Sequence, residues 1–351
     1  VQPPNAPVDL VRPPDVSREV GDHAEQRAEV LVVRSFDDLK AHASQAKGKI
    51  VLFNVPFTTY GATVQYRVNG CNEASRYGAV ASLVRSVGPV SLYTPHTGML
   101  HYNDSMKRIP HAAITLEDAE MLQRMQNRGQ KIVVTLTMEA NTLPDAPSRN
   151  VIAEIKGSEK PDEIVVFGGH IDSWDVGQGA MDDGGGCFTG WEALRLIKKL
   201  GLKPKRTMRL VFWTNEENGV KGGAQYALNR AETMNNHVLA IESDAGNFRP
   251  EGFEVKGSDS TKALAVAISS LLTPLGATKI VDGDGGADIG PILEKGVPGM
   301  ELIVDASKYF WYHHTNADTM DKLLPEELSD CAATMAIMTF IAADLPFRFP
   351  K

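Results

Sequence analysis

Residues Glu163–Leu200 read EIVVFGGHIDSWDVGQGAMDDGGGCFTGWEALRLIKKL. The opening EIVVFGG (Glu163–Gly169) is an unbroken β-branched and aromatic run, as expected of a strand buried on both faces. The closing CFTGWEALRLIKKL (Cys187–Leu200) spaces its apolar residues as an amphipathic helix. Strand, loop and helix make half of a βαβ unit, and the alternation continues downstream. MRLVFWTN (Met208–Asn215), HVLAIESD (His237–Asp244) and PGMELIV (Pro298–Val304) read as further strands. Helices are expected at Gly222–Arg230, Thr261–Leu272 and Pro325–Ala343. Residues 144–351 are therefore expected to form an α/β domain with a mainly parallel mixed sheet flanked by helices.

Upstream, AEVLVV (Ala28–Val33), GKIVLFNV (Gly48–Val55), AVASLV (Ala79–Val84), IPHAAIT (Ile109–Thr115) and KIVVTLTM (Lys131–Met138) are strand candidates. Helices fit near Asn72–Gly78 and over Leu116–Gln126. This predicts a smaller α/β unit over 29–143, without a cluster of catalytic residue types, ending near TLPDAPSR (Thr142–Arg149). The proline-rich residues 1–28 are expected to be an extended lead-in.

Composition excludes several classes of function. The chain has 351 residues and a formal net charge of -8, which disfavours nucleic acid or an anionic membrane as partner. No apolar run approaches the roughly 18–20 residues needed to span a bilayer. Cys71, Cys187 and Cys331 form no CxxC pair and no disulfide framework. Asn103-Asp104-Ser105 is an acceptor pattern for N-glycosylation.

The loop between strand and helix crowds four aspartates and His170 among glycines. It is not alone. Glu216 and Glu217 follow the second strand, Asp244 ends the third, and FWYHHTNADT (Phe310–Thr319) follows the fourth. All leave the sheet at one edge, beyond the carboxyl ends of its strands, where open α/β sheets bind ligands. Each piece alone reads as a solvated turn. Together, without counter-charge, the acids would cost several kcal/mol each or stay protonated (an order-of-magnitude figure). Two divalent cations remove the conflict: three carboxylates, a hydroxide and two neutral imidazoles balance two dications. Imidazole with carboxylate and no thiolate favours Zn²⁺. The glycines of DDGGG are expected to let the backbone turn tightly enough for Asp182 to reach both ions.

GGHIDSWDVGQGAMDDGGG, WTNEENG, ESDAG and YHHTNADT, in that order, resemble the co-catalytic dinuclear-zinc exopeptidases. These include bacterial zinc aminopeptidases and the glutamate carboxypeptidases, and the likeness is strongest to the latter. It runs from about Ala28 to the C-terminus, and its first part is similar to their protease-associated insert. The resemblance implies two Zn²⁺ per chain, His170 and Asp244 holding one, Glu217 and His314 the other, with Asp182 between them. Glu216 would be the general base acting on a water shared by the metals. Asp172 would orient His170 through its ring N–H, and His313 would face substrate. Tyr309, Phe310, Trp311 and Tyr312 are candidates to wall a pocket. The implied substrates are small unblocked peptides, chiefly dipeptides, hydrolysed by a secreted or lysosomal homodimer. An aminopeptidase acting on longer peptides, a single-zinc acyl-transfer enzyme and a non-catalytic ectodomain of the same fold are the rival readings. The chain departs from the family pattern twice. It lacks the early helix and strands that precede the insert, which suggests an N-terminally incomplete catalytic domain, and Asn215 stands where relatives carry a small residue.

Overall fold

The alternation of strand and helix resolves into two sheets. The computed structural model describes residues 24–141 and 143–351, so most of the expected lead-in lies outside the described residues. The first sheet contains β1 (Ala24–Val33), β2 (Ile50–Phe53), β3 (Ala81–Arg85), β4 (His111–Ile114) and β5 (Val133–Met138), in the order β4-β3-β2-β1-β5. Its strands run parallel except β5, which pairs antiparallel with β1. Successive side chains of a strand point to opposite faces. Leu31, Val33, Val51 and Phe53 thus meet Cys71 and Ala74 of helix α1 (Gln65–Arg76). Val30, Val32, Ile50 and Leu52 meet Ala119 and Leu122 of helix α2 (Leu116–Asn127).

The second sheet comprises β6 (Val151–Ile155), β7 (Lys160–His170), β8 (Arg206–Trp213), β9 (His237–Glu242), β10 (Pro250–Lys256), β11 (Lys279–Asp282) and β12 (Gly299–Val304). Its order is β11-β10-β12-β9-β7-β8-β6. The central four, β12, β9, β7 and β8, are mutually parallel neighbours. They are the strands expected from the sequence. β6 and β10 pair antiparallel at their flanks, and with β11 they escaped sequence reading. The reason is physical: β6 leaves Val151 and Ile152 exposed, β10 begins Pro-Glu-Gly, and β11 has only four residues. None shows the uninterrupted apolar run of a central strand.

Helices α3 (Gly185–Lys199), α4 (Lys221–Asn229), α5 (Asp259–Ser269) and α6 (Pro325–Asp344) cover the sheet. On one face Val165, Phe167, Leu210 and Leu239 pack with Leu194 and Ile197 of α3, Ile268 of α5 and Met335 of α6. On the other, Val166, Val211 and Ala240 pack with Tyr226 and Ala227 of α4. The three cysteines are buried and free. Among the described residues no helix is long and apolar enough to cross a membrane.

The glycines after Asp183 serve close approach rather than a left-handed turn. Gly184 and Gly185 have right-handed φ of -55° and -65°, and the left-handed position is Gly179, at φ 62°. A Cβ on Gly186 would fall 1.9 Å from the Ser243 carbonyl oxygen and 2.2 Å from Asp183 Oδ1. The start of α3 is thus pressed against the loop after β9. Gly186→Ala should destabilise the fold by about 1–3 kcal/mol, the usual cost of overpacking. Chemical denaturation measures it; an unchanged midpoint would contradict the close approach.

Candidate metal centre

Because β7, β8, β9 and β12 are parallel, their carboxyl ends lie side by side. His170 is the last residue of β7, and Asp244 lies two residues beyond β9. Asn215, Glu216 and Glu217 follow β8. Asn215 is left-handed, φ 62°, a conformation Asn tolerates better than most side-chain-bearing residues. That gives its place before the glutamate pair a backbone reason. His314 is also left-handed, φ 59°, in the loop that follows the short helix Tyr309–Tyr312.

These elements bring five of the sequence-expected side chains into two sets. His170, Asp182 and Asp244 offer ligand atoms within 4.8 Å of one another, and so do Asp182, Glu217 and His314. Asp182 belongs to both. His170 Nε2 lies 3.1 Å from Asp182 Oδ1 and 3.3 Å from Asp244 Oδ1. His314 Nε2 lies 3.3 Å from Asp182 Oδ2 and 3.0 Å from Glu217 Oε2.

The two rings are aimed by their other nitrogens. His170 Nδ1–H donates to the main-chain carbonyl of Asp172 at 2.8 Å. His314 Nδ1 lies 3.3 Å from the Thr97 carbonyl oxygen. An N–H donated there leaves the Nε2 lone pair facing the carboxylates, as a metal requires. Buried oxygens Asp182 Oδ2, Glu217 Oε1 and Asp244 Oδ1 have no hydrogen-bond partner among the described residues. Orphaned acceptors and lone pairs converging on common points fit cations, and the imidazole–carboxylate donor set fits zinc.

The electrostatics of the bare chain express the same crowding. Burial raises the Asp244 carboxyl above the usual range, only partly offset by His170. Burial, then the neighbouring Asp244, pushes Glu216 up to about 7. Burial alone would lower His314, but hydrogen bonds to Asp182 and Glu217 carry it up to about 9. Burial holds His313 down at about 3.

Asp172 is placed differently from its expected role. Its carboxylate is 3.9 Å from His170 Nδ1, and the main-chain carbonyl takes the ring proton instead. Asp172 Oδ1 and Oδ2 accept from the N–H groups of Glu216 and Glu217 at 3.1 and 3.4 Å. Asp172 therefore holds the glutamate pair. The Glu216 N–H is so fixed, while no hydrogen bond to its carboxylate occurs among the described residues. His313 stacks on His314, ring centroids 3.7 Å apart, with Nε2 3.4 Å from Asp182 Oδ2. Tyr309 is buried in the core, and Phe310 stacks on Tyr60 of the first unit, so these two aromatics pack rather than wall an open pocket.

Comparison with known proteins is decisive. The model of peptidase family M28 matches residues 150–339. Carboxypeptidase Q of Homo sapiens is 50% identical over 324 residues, 92% of this chain and 69% of that protein. The chain belongs to peptidase family M28. Membership makes it a metallo-exopeptidase, a peptide hydrolase that binds zinc. A crystal structure of a Peptidase M28 precursor from Shewanella amazonensis superposes with a TM-score of 0.88 at 33% identity, covering 93% of this chain and 76% of that one. A zinc aminopeptidase from Bacillus subtilis shares the fold, with a TM-score of 0.60 at 20% identity, over 89% and 74% of the two chains.

Several residues of this M28 site escaped the sequence reading. Asp183 is buried, and its carboxylate accepts from the N–H groups of His170 and Gly186 at 3.0 and 3.1 Å. Asp318 accepts from Met181 and Asp182 N–H at 2.7 and 3.2 Å, fixing the segment that carries the shared carboxylate. Trp174 Nε1–H donates to Glu217 Oε2 at 2.6 Å. The first unit was expected to bring no such residues, yet His96 stacks on His314 at 4.9 Å and Arg67 Nη1 lies 3.3 Å from its Nδ1.

Proposed function

We propose that the chain hydrolyses small unblocked peptides, chiefly dipeptides, with two zinc ions per chain. His170 and Asp244 would hold one ion, Glu217 and His314 the other, and Asp182 both. The observation that supports this most is the pair of ligand sets meeting at Asp182. Zinc held there supplies acidification of a water and polarisation of the scissile carbonyl. The chain's own side chains do the rest. Asp172 pins the Glu216 and Glu217 amides, so Glu217 turns inward while the Glu216 carboxylate stays uncommitted beside Asp244 and His170. Glu216 takes the water's proton and returns it to the departing amine. Asp183 and Asp318 keep His170 and Asp182 in register through main-chain N–H groups. The reading includes residues 29–143 as a protease-associated domain, a homodimer, and a secreted or lysosomal setting with glycosylation at the exposed Asn103; the resemblance to the glutamate carboxypeptidases supports these.

The test combines metal analysis with turnover of free and N-blocked dipeptides. Two zinc ions per chain, hydrolysis of the free dipeptides only, and loss on chelation with recovery on zinc addition are expected. A single zinc, or turnover indifferent to chelation, would remove the two-metal reading. Chelation should also lower the melting temperature, because an ion bound only by the folded state stabilises it by about 4 kcal/mol at a thousandfold excess over its dissociation constant.

A further inference from the structure

Residues 96 and 97 of the first unit are hydrogen-bonded to the segment that carries His314. His96 is 1% exposed, and its main-chain N–H donates to Ser86 Oγ at 3.0 Å. Arg67 Nη1 lies 2.7 Å from His96 Nε2, the shortest contact that atom makes among the described residues. A guanidinium only donates, so His96 Nε2 carries the lone pair and Nδ1 the proton. His96 Nδ1–H therefore donates to the His313 carbonyl oxygen, 3.1 Å away.

His96, His313 and His314 also bring ring nitrogens within 4.8 Å of one another, a third set of possible ligand atoms. These rings do not suit one ion. His96 and His314 stack with centroids 4.9 Å apart and planes 16° from parallel, and His313 and His314 stack at 3.7 Å and 18°. An imidazole offers its lone pair in the plane of the ring, so rings stacked face to face do not aim at a common point. The Arg67 cation beside His96 also repels a further ion.

The geometry gives His96 a different task. The His313 carbonyl belongs to the peptide that precedes His314, so its direction sets the φ of His314. The peptide that follows is tied as well, because the Thr97 N–H donates to the His314 carbonyl at 2.9 Å. His314 needs such a hold. Its φ of 59° is left-handed, where a Cβ crowds the backbone. With both flanking peptides fixed, its Nε2 meets Asp182 and Glu217.

We propose that His96 is a positioning residue for the metal ligand His314: its Nδ1–H, kept in that tautomer by Arg67, fixes the peptide ahead of His314 and so aims the ring. The inference rests on the two-zinc reading of the centre. His96 acts through the His313 carbonyl and moves no proton in the reaction. Its loss should be felt at one ion only, since His170 ends β7 and Asp244 follows β9, away from this peptide.

The affinity of each zinc is measured by competition with a chelator, and Glu217→Ala identifies the ion that His314 helps to hold. His96→Phe keeps an aromatic ring and removes the donor. It should weaken that ion alone by about 10–100-fold, the usual cost of losing a hydrogen bond behind a ligand. His96→Asn, whose amide N–H stands about where Nδ1–H does, should hold both ions as the parent does. The proposal is overturned if His96→Phe spares both ions, if it weakens both alike, or if His96→Asn loses as much as His96→Phe. A parent that binds a single zinc defeats the two-metal reading instead. The proposal then stands only if His96→Phe weakens that zinc and His96→Asn does not.

Discussion

Glu216→Gln is expected to keep its zinc and lose turnover by about 10²–10⁴-fold, the range for removing a general base. That corresponds to roughly 3–5 kcal/mol of barrier at 1.36 kcal/mol per tenfold. The substitution is isosteric, and Glu216 anchors the loop through its N–H rather than its carboxylate. KM and metal content should therefore hold while kcat falls. A variant that turns over at the parent's rate would take Glu216 out of proton transfer. One that loses zinc as well would mean that it helps to hold the metal.

The second large effect is expected at Asp182. Its Oδ1 faces His170 and its Oδ2 faces His314. Asp182→Ala should therefore empty both positions together, abolish hydrolysis, and leave a melting temperature that chelators no longer shift. Loss of one ion with the other retained would show that the two sets do not share this carboxylate. Asp244→Ala is the informative control, since Asp244 contacts only the His170 set.

Part of this convergence was legible in the sequence because His170, Glu217 and Asp244 terminate or closely follow strands buried on both faces, whereas Asp182 and His314 sit in longer loops. Such strands announce themselves as apolar runs, and parallel neighbours end at one edge, so the sequence alone gathers His170, Glu217 and Asp244 there. Asp182 and Asp183 could not be told apart by composition. Asp182 joins the His170 and His314 sets while Asp183 accepts from the N–H groups of His170 and Gly186, a division that only the folded loop makes. The part Asp172 plays was misplaced for a similar reason: a main-chain carbonyl leaves no mark in a sequence. The strands β6, β10 and β11 were missed because edges and antiparallel additions lack a two-sided apolar pattern. Arg67 and His96 carried no signal. The contact between Arg67 and His314 joins residues 247 positions apart and arises only when two units pack.

The donated bond from His314 to the Thr97 carbonyl, 217 positions away, carries an implication for how the enzyme comes into being. Ribosomal synthesis delivers the amino-terminal part first, and domains generally fold as units. Until both parts have been made and docked, one imidazole has nothing to fix its tautomer. Completion of this site is therefore expected to follow docking of the segment that carries Thr97.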